Sequence, residues 1–292
     1  MSMSKRWLRL RLAISFFSRL PVGDLGICPD EDFGRSFGYL PAVALILGGV
    51  LALAAWLLGM LLPPLVWALL ILAYEIYLSG GTLLDGFMDT MDGIFSGRSP
   101  ERILTIMRDS RVGAHAVVAV VLLLMVKGAA LFVLCSPESG GAVHGTLSPS
   151  GAAPEVPSIA GWSPLMGWYE LTAQAPLYLT LLWMPLVGRW AVILGMCRFP
   201  YARERGMASL FHQYLDRRML PWATLVVLLV TGFLAGVMGM LVFAVIALLM
   251  LRMGQTLTGQ LGGLTGDIYG AMAELSEVMV LLGVLMLQKA VG

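Results

Sequence analysis

Residues 64–93, PLVWALLILAYEIYLSGGTLLDGFMDTMDG, join a long apolar run to a crowded set of acids. The first part, to about residue 84, is long and apolar enough to cross roughly 30 Å of bilayer hydrocarbon as a helix of about 20 residues. Asp85, Asp89 and Asp92 follow with a spacing of i, i+4 and i+7, which places their carboxylates on one helical face. The stretch therefore predicts a membrane helix that leads directly into an acidic site.

The carboxylates of Asp85, Asp89 and Asp92 repel one another, and no basic residue lies among them to offset the charge. At about 6 Å and an effective dielectric near 20, each adjacent ionised pair costs roughly 3 kcal/mol. A solvated loop between two spans is the alternative interpretation. We favour a divalent metal site, because hard carboxylate oxygens suit Mg²⁺ or Mn²⁺, which also bind substrate phosphates.

The composition predicts an all-α, polytopic membrane protein that forms one domain over residues 1–292. Of its residues 58% are apolar and only 13% charged, and the mean hydropathy is +0.84. The net charge of +1 implies no attraction to nucleic acid. About seven spans are expected, near residues 37–59, 64–84, 113–135, 176–197, 219–235, 237–252 and 277–291. We expect the last to begin as a helix in the polar segment before it.

Positive charges predict the orientation of the spans. The basic N-terminal segment lacks the core and cleavage site of a signal peptide and is expected to form an amphipathic helix in the cytoplasmic interface. Segment 136–175 has no Lys or Arg and is rich in Ser, Pro, Gly and Ala, which indicates a flexible external insertion. Successive spans must cross the membrane in alternate directions from a cytoplasmic N-terminus. This places segments 85–112 and 253–276 on the cytoplasmic side. The expected location is the cell inner membrane, with the N-terminus and the active site facing the cytoplasm.

A second polar cluster lies at residues 262–277, GGLTGDIYGAMAELSE. Gly263 and Thr265 are candidates for a phosphate-binding turn, since glycine lets backbone N–H groups approach an anion and Thr can begin the next helix. Asp267 and Glu274 lie seven residues apart on nearly the same helical face. We expect both to supply metal ligands from a second helix, with Asp267 or Asp92 as the general base.

Two basic segments are candidates for phosphate binding. Arg108 and Arg111, three residues apart on a helix predicted to start at Pro100, are expected to grip one phosphate together, because guanidinium groups match phosphate oxygens. Arg203 and Arg205 are expected to hold a nucleotide phosphate. The alternative in both cases is that these charges only set the orientation of the membrane helices.

Glu75 is an acid inside a predicted span, where an ionisable group is costly. Catalysis is one interpretation, and a protonated or hydrogen-bonded acid between helices is the other. Lys127 and Arg189 also fall within spans, and snorkelling or pairing with such an acid would explain them. The three cysteines are scattered and predict neither a disulfide frame nor a zinc site.

These motifs resemble the cobalamin synthase family, the adenosylcobinamide-GDP ribazoletransferases. The resemblance is carried by GGTLLDGFMDTMDG at 80–93, MRDSRVG at 107–113, GLTGD at 263–267 and Glu274, in that order. Softer similarity lies at residues 16–22 and 200–203. One departure is Leu83, where the family commonly has a histidine, so that no role of that histidine is carried over.

The resemblance implies a transferase that joins GDP-activated adenosylcobinamide to α-ribazole or its 5′-phosphate and releases GMP, with Mg²⁺ as cofactor. Its partners would be these small molecules and membrane lipid, with no nucleic acid. The sequence leaves the oligomeric state open. The implied Mg²⁺ cofactor and phosphate-containing substrates agree with the metal site and the phosphate-binding arginines that the residues predict.

Two other functions were weighed. A CDP-alcohol phosphotransferase of phospholipid synthesis also has aspartates and glycines on membrane helices, but its aspartate-glycine pair continues into Ala-Arg, whereas Gly86 is followed by Phe87. An ion-coupled transporter would place its acids near the bilayer midplane on broken helices, often in repeated halves. Only Glu75 is placed in this way, and no halves repeat.

Overall fold

A computed structural model describes residues 5–136, 176–203 and 207–291. Within these ranges every regular element is a helix, and the one isolated backbone bridge pairs Tyr201 with Leu264. The predicted all-α fold is therefore confirmed. The predicted insertion at 136–175 lies outside the described residues apart from Ser136.

The described residues form eleven α-helices and one 3₁₀ turn, Phe37–Tyr39. The α-helices are α1 Lys5–Phe17, α2 Asp30–Ser36, α3 Leu40–Gly59, α4 Pro64–Leu78, α5 Thr82–Phe95, α6 Pro100–Ile106, α7 Ala114–Cys135, α8 Pro176–Arg198, α9 Met207–Gln213, α10 Met219–Leu261 and α11 Gly266–Val291.

Five helical segments of the described chain are long and apolar enough to cross a membrane, and a bent pair of helices, α4 and α5, adds a sixth. The five are Asp30–Gly59, which contains α3, then Ala114–Cys135, Leu177–Arg198, Met219–Leu261 and Gly266–Lys289. The protein is therefore a multi-pass membrane protein. The last span begins at Gly266 rather than near residue 277, so the polar segment before it is indeed helical.

The long helix α10 is broken into two arms. Its backbone is broken at Gly236, which has φ 58° and ψ −153°. Trp190 of α8 contacts both sides of the break: its Nε1 donates to Thr224 Oγ1 at 2.9 Å, and its ring lies 4.7 Å from that of Phe243. In a straight helix residues 224 and 243 would be about 28 Å apart. The two arms therefore fold back on each other, and the break lies between the spans predicted near 219–235 and 237–252.

The span predicted at 64–84 requires a correction. Helix α4 ends at Leu78, and Gly80 (φ 72°) and Gly81 (φ 73°) turn the chain before α5 starts at Thr82. The two helices are bent by 90°. Left-handed backbone at two consecutive positions is readily available only to glycine. The acids therefore lie on a separate helix rather than at the end of the span, and the glycine pair sets the direction of that helix.

Helix α8 is the centre of the bundle. Leu181, Trp183, Met184 and Leu186, which lie on different faces of the helix, are all buried. A helix that is apolar around its whole circumference is expected in the core. Helices α3, α10 and α11 pack around α8, and α11 also packs against α5, the helix that carries the acids.

The predicted N-terminal helix is present as α1. Arg9 of this helix forms an ion pair of 2.7 Å with Asp32 of α2, and Leu12 and Ala13 are buried. Trp7 is half exposed on the same helix. Helix α1 thus packs on the bundle through one face, and its position at the membrane interface stays a prediction.

Candidate active site

The face of α5 that carries the acids lines a cavity. Asp85, Asp89 and Asp92 lie on the wall of a cavity of about 220 Å³, whose opposite wall is formed by the loop 107–113 and by Ala116 of α7. The sequence spacing of the acids predicted this common helical face. Because the loop brings Arg108 to the same cavity, acids and a guanidinium group surround one space.

A fourth carboxylate reaches the cluster because helices α5 and α11 cross in backbone contact. A Cβ atom on Gly86 would lie 2.9 Å from the carbonyl oxygen of Asp267, and one on Gly270 would lie 2.7 Å from that of Leu83. Gly266 and Gly270 have the four-residue spacing that lets membrane helices approach closely. The crossing brings Asp267 within electrostatic reach of the α5 acids.

Arg203 joins the cluster through Asp267. Its Nη2 donates to Asp267 Oδ2 at 2.6 Å and lies 3.5 Å from the carbonyl oxygen of Met107. The segment before Arg203 is held against the start of α11 by two backbone hydrogen bonds of 2.8 Å, from Ala202 to Leu264 and from Leu264 to Pro200. Arg203 is therefore positioned by backbone pairing, as well as by its ion pair.

The cluster carries more negative than positive charge. Among the described residues, the ion pairs to its four carboxylates are Arg203 with Asp267 and a long contact of 4.0 Å between His115 Nδ1 and Asp92 Oδ1. Asp85 and Asp89 have no such partner in the described chain. An excess of carboxylates around a cavity is the arrangement that a divalent cation stabilises.

The two arginines of the loop 107–113 differ in position. Helix α6 ends at Ile106, so Arg108 and Arg111 do not share a helix face, and this expectation was wrong. Both arginines line the cavity. Arg111 is 88% exposed and pairs with Asp109 at 2.7 Å, and its hydrogen bonds lower the pKa of Asp109 to about 2. Arg111 therefore lines the cavity with its guanidinium group already paired, whereas the described part of the chain contains no ion pair to Arg108.

The segment 263–265 has a structural role. A Cβ atom on Gly263 would lie 2.7 Å from the carbonyl oxygen of Pro200, so this glycine permits the backbone pairing described above and does not face a phosphate. Thr265 is fully buried, and its Oγ1 accepts a hydrogen bond of 3.4 Å from the N–H of Ile268, as in the N-cap of a helix. Arg205 lies outside the described residues.

Five buried charges form a network inside the membrane-spanning region. Lys127 Nζ of α7 donates to Glu75 at 2.7 Å, to Glu274 at 2.9 Å and to Glu277 at 3.0 Å. Arg189 Nη1 of α8 donates to Glu277 at 2.5 Å. The pairing of Lys127 and Arg189 with buried acids was one of the alternatives that the sequence left open. The network joins α4, α7, α8 and α11.

The network corrects the expected role of Glu274. This residue lies two helical turns beyond Asp267, about 10 Å further along α11, and its carboxylate is held by Lys127. The carboxylates of Glu75, Glu274 and Glu277 come within 4.8 Å of one another, as metal ligands do. The ammonium group of Lys127, however, already provides the positive charge between them. Glu274 is therefore not brought to the aspartate cluster.

Sequence reasoning assigned nothing to His115. It lies at the start of α7, 4.0 Å from Asp92, and its ring faces Phe95 at 6.4 Å. A Cβ atom on Gly113 would overlap both carboxylate oxygens of Asp92, so Gly113 leaves room for this acid at the N-terminus of α7. The position of His115, two residues after the motif at 107–113, was the available signal.

Asp85 also lies on the wall of a second cavity, of about 250 Å³. Asp267 and Arg203 line this cavity too, and the rest of its wall is largely aromatic and aliphatic. The acid cluster therefore separates two spaces of different chemistry. One is lined by acids and Arg108, and the other is mainly apolar.

Comparison with known proteins gives a family. The family model described as CobS, cobalamin-5-phosphate synthase, matches residues 9–152 and 159–285. The chain is 37% identical to the adenosylcobinamide-GDP ribazoletransferase of Desulfitobacterium hafniense, covering 97% of this chain and 96% of that protein. It is 36% identical to the protein of that name from Ectopseudomonas mendocina, over 93% and 96% of the two chains. No solved structure matches the chain.

The buried network generates a prediction about stability. Replacing Lys127 by Met leaves Glu75 and Glu274 buried without a cation, while Glu277 keeps Arg189, and this is expected to destabilise the protein by about 3–5 kcal/mol. Thermal unfolding of the detergent-purified protein measures the effect. Lys289→Met, which removes an exposed lysine from α11, is the control. Equal unfolding temperatures for both variants would contradict the assigned role of Lys127.

The helix crossing generates a second prediction. Gly270→Ala places a Cβ atom against the backbone of α5, so the helices must separate and Asp267 must move from the α5 acids. The affinity for Mn²⁺, measured by the electron paramagnetic resonance of the free ion, should fall at least about tenfold, which corresponds to about 1.4 kcal/mol. Gly49→Ala, at a helical position with open space around it, should leave the affinity unchanged. An unaltered affinity in Gly270→Ala would show that the crossing does not build the site.

Proposed function

The chain belongs to the cobalamin-5-phosphate synthase family, and we propose that its aspartate cluster is the magnesium-dependent active site of the transfer. The protein is a transferase of the last step of cobalamin lower-ligand assembly. The donor that we propose is adenosylcobinamide-GDP, and the acceptor is α-ribazole or its 5′-phosphate. GMP is the second product.

The observation that carries this proposal is the convergence of acids from two distant segments around Asp85, which lines two neighbouring cavities. Asp85, Asp89 and Asp92 come from α5, and Asp267 comes from the start of α11 with Arg203 bound to it. Phosphoryl transfer depends mainly on positioning and on neutralising the charge of the phosphates. Oxygen ligands beside guanidinium groups provide both.

The acids fit Mg²⁺ by their chemistry. Asp85, Asp89 and Asp92 offer only hard oxygen donors, and no cysteine lies on the wall of the cavity. Asp267 Oδ2 accepts from both Arg203 and Thr265, which leaves Oδ1 for a further contact. When bound, Mg²⁺ would neutralise the diphosphate and stabilise the leaving phosphate.

In the proposed reaction, the 3′-hydroxyl oxygen of the ribazole attacks the phosphorus atom on the cobinamide side of the diphosphate. A new P–O bond forms, the bond from that phosphorus to the bridging oxygen breaks, and GMP leaves with this oxygen. The hydroxyl proton passes to a carboxylate of the protein. Arg108, on the cavity wall, is in place to bind the diphosphate.

Asp267 and Asp92 were the two candidates for the proton acceptor. Asp267 is the better supported, since it lines the second cavity together with Asp85, the acid that both cavities share, whereas Asp92 lines only the polar cavity. Arg203 binds Asp267 in this structure. A substrate phosphate would compete for the same guanidinium group, so that binding of the donor would free the carboxylate to accept a proton.

We also propose that the active site faces the cytoplasm across the inner membrane. The support is the distribution of charge: Arg108, Arg111 and Arg203 gather at the end of the bundle where the acids lie, while segment 136–175 has no basic residue. Nucleotide-activated donors are made where GTP is available, which fits this orientation.

The family match favours the cobalamin synthase function over a CDP-alcohol phosphotransferase and an ion-coupled transporter, the two alternatives from the sequence. The buried charges of the Lys127 network are of the kind that a transporter would use. However, each acid of the network has Lys127 as a direct partner, and Lys127 is 1% exposed. The network therefore supports a fixed helix packing rather than an ion pathway.

Asp89→Asn tests the metal assignment. Asp89 interacts with Asp85, Asp92 and Asp267 at once, so loss of its charge should weaken metal binding and reduce GMP release by at least about 100-fold, or about 2.7 kcal/mol. The measurement is Mg²⁺-dependent GMP release from adenosylcobinamide-GDP and α-ribazole by the purified protein.

Asp30→Asn is the matched control, because Asp30 is exposed at the start of α2 and distant in sequence from the cluster. It should release GMP at the normal rate. Both variants should be recovered from membranes in equal amounts. A normal rate for Asp89→Asn would refute the role of the cluster.

A further inference from the structure

The second cavity is built around an aromatic cluster. The ring of Phe211 lies 5.0 Å from that of Phe33, 5.3 Å from those of Phe16 and Phe37, and 5.8 Å from that of Phe17. Four of these five rings, all except Phe33, line the cavity. The rings come from α1, α2, the 3₁₀ turn and α9, which are elements at one end of the bundle.

Two residues of the acid cluster also belong to the wall of this cavity. Asp85, Asp267 and Arg203 line it, and Asp85 is shared with the polar cavity. A molecule that fills the aromatic space therefore has one end at the carboxylates. Arg189, which also lines the cavity, is held by Glu277 and so is fixed in place.

We propose that this cavity binds the acceptor nucleoside, with its flat aromatic base among the phenylalanine rings and its ribose at Asp85 and Asp267. The inference rests on the proposed function and adds to it a location for one of the two substrates. It also places the attacking hydroxyl and the diphosphate on opposite sides of Asp85, with Asp267 beside the hydroxyl.

The chemistry of the wall selects among the substrates. A benzimidazole base has an apolar edge and a π-face, and stacking of a base on aromatic side chains contributes about 1–3 kcal/mol. Guanine would bury several hydrogen-bonding groups against phenylalanine and leucine, and each group without a partner costs about 1–3 kcal/mol. The corrin ring with its amide side chains is too large for a space of about 250 Å³.

The aromatic wall also explains a feature of the chain that the acid cluster does not. Phe16 and Phe17 end α1, and Phe211 lies on the short helix α9, so two segments outside the long spans meet at this one place. If they only packed the N-terminal helix onto the bundle, no space beside Asp267 would be needed.

Steady-state kinetics of variants in the cavity wall test the proposal. Val192 lines the cavity from α8, and Val192→Phe fills the space while keeping it apolar. Phe211→Leu removes the central ring. We expect the KM for α-ribazole to rise at least about tenfold in both, with the KM for adenosylcobinamide-GDP unchanged and kcat within about threefold. Phe132→Leu, on the partly exposed surface of α7, should change none of these constants.

A direct readout keeps the test independent of turnover and of the folding of any one variant. Equilibrium dialysis of α-ribazole against the purified protein should show binding that Val192→Phe weakens at least about tenfold. An increase in the KM for the donor in place of the acceptor, or unchanged α-ribazole affinity in a folded Val192→Phe protein, would overturn the proposal. An unmodified protein that binds α-ribazole but releases no GMP would refute the proposed function and leave the cavity assignment standing.

Discussion

The contact between the backbones of α5 and α11 is the constraint on which the site depends. Gly86 and Gly270 each face the other helix at a distance that a Cβ atom would prevent. Because the helices meet there, Asp267 joins acids that lie about 180 residues earlier in the chain. The same crossing places Asp85 between the polar and the aromatic cavity. One close approach therefore sets both the charge of the site and its division into two spaces.

The Lys127 network fixes the same helices at another depth. It links Glu75 of α4 to Glu274 and Glu277 of α11, so α11 is tied to the bundle on the membrane side of the crossing. Buried charges are costly, and their interaction is favourable only when each group has well-placed partners. Arg189 supplies the second cation. Helix α11 is thus held by glycine contact at its start and by ion pairs two to three turns later.

The sequence was sufficient for the elements and for the acidic face, because these follow from local spacing. Hydrophobic run length predicts the apolar spans, and the i, i+4, i+7 spacing predicts the common face of Asp85, Asp89 and Asp92. Helix pairing is not local, and this explains the errors. Glu274 shares a helix with Asp267, but Lys127, distant in sequence, determines where its carboxylate lies. Gly263 looked suited to a phosphate, yet the neighbouring chain segment occupies that side. Two features of the sequence do indicate how the helices pair. One is the pair of adjacent glycines at 80 and 81, where the chain bends, and the other is the four-residue glycine spacing in α11.

The location of a bound ion tests the central claim most directly. Crystals of the protein grown with Mn²⁺ in place of Mg²⁺ would reveal the metal by its anomalous scattering. We expect an ion about 2.2 Å from the carboxylate oxygens of at least two of Asp85, Asp89, Asp92 and Asp267. An ion held instead among Glu75, Glu274 and Glu277, or a cluster of aspartates that binds no ion, would contradict the account.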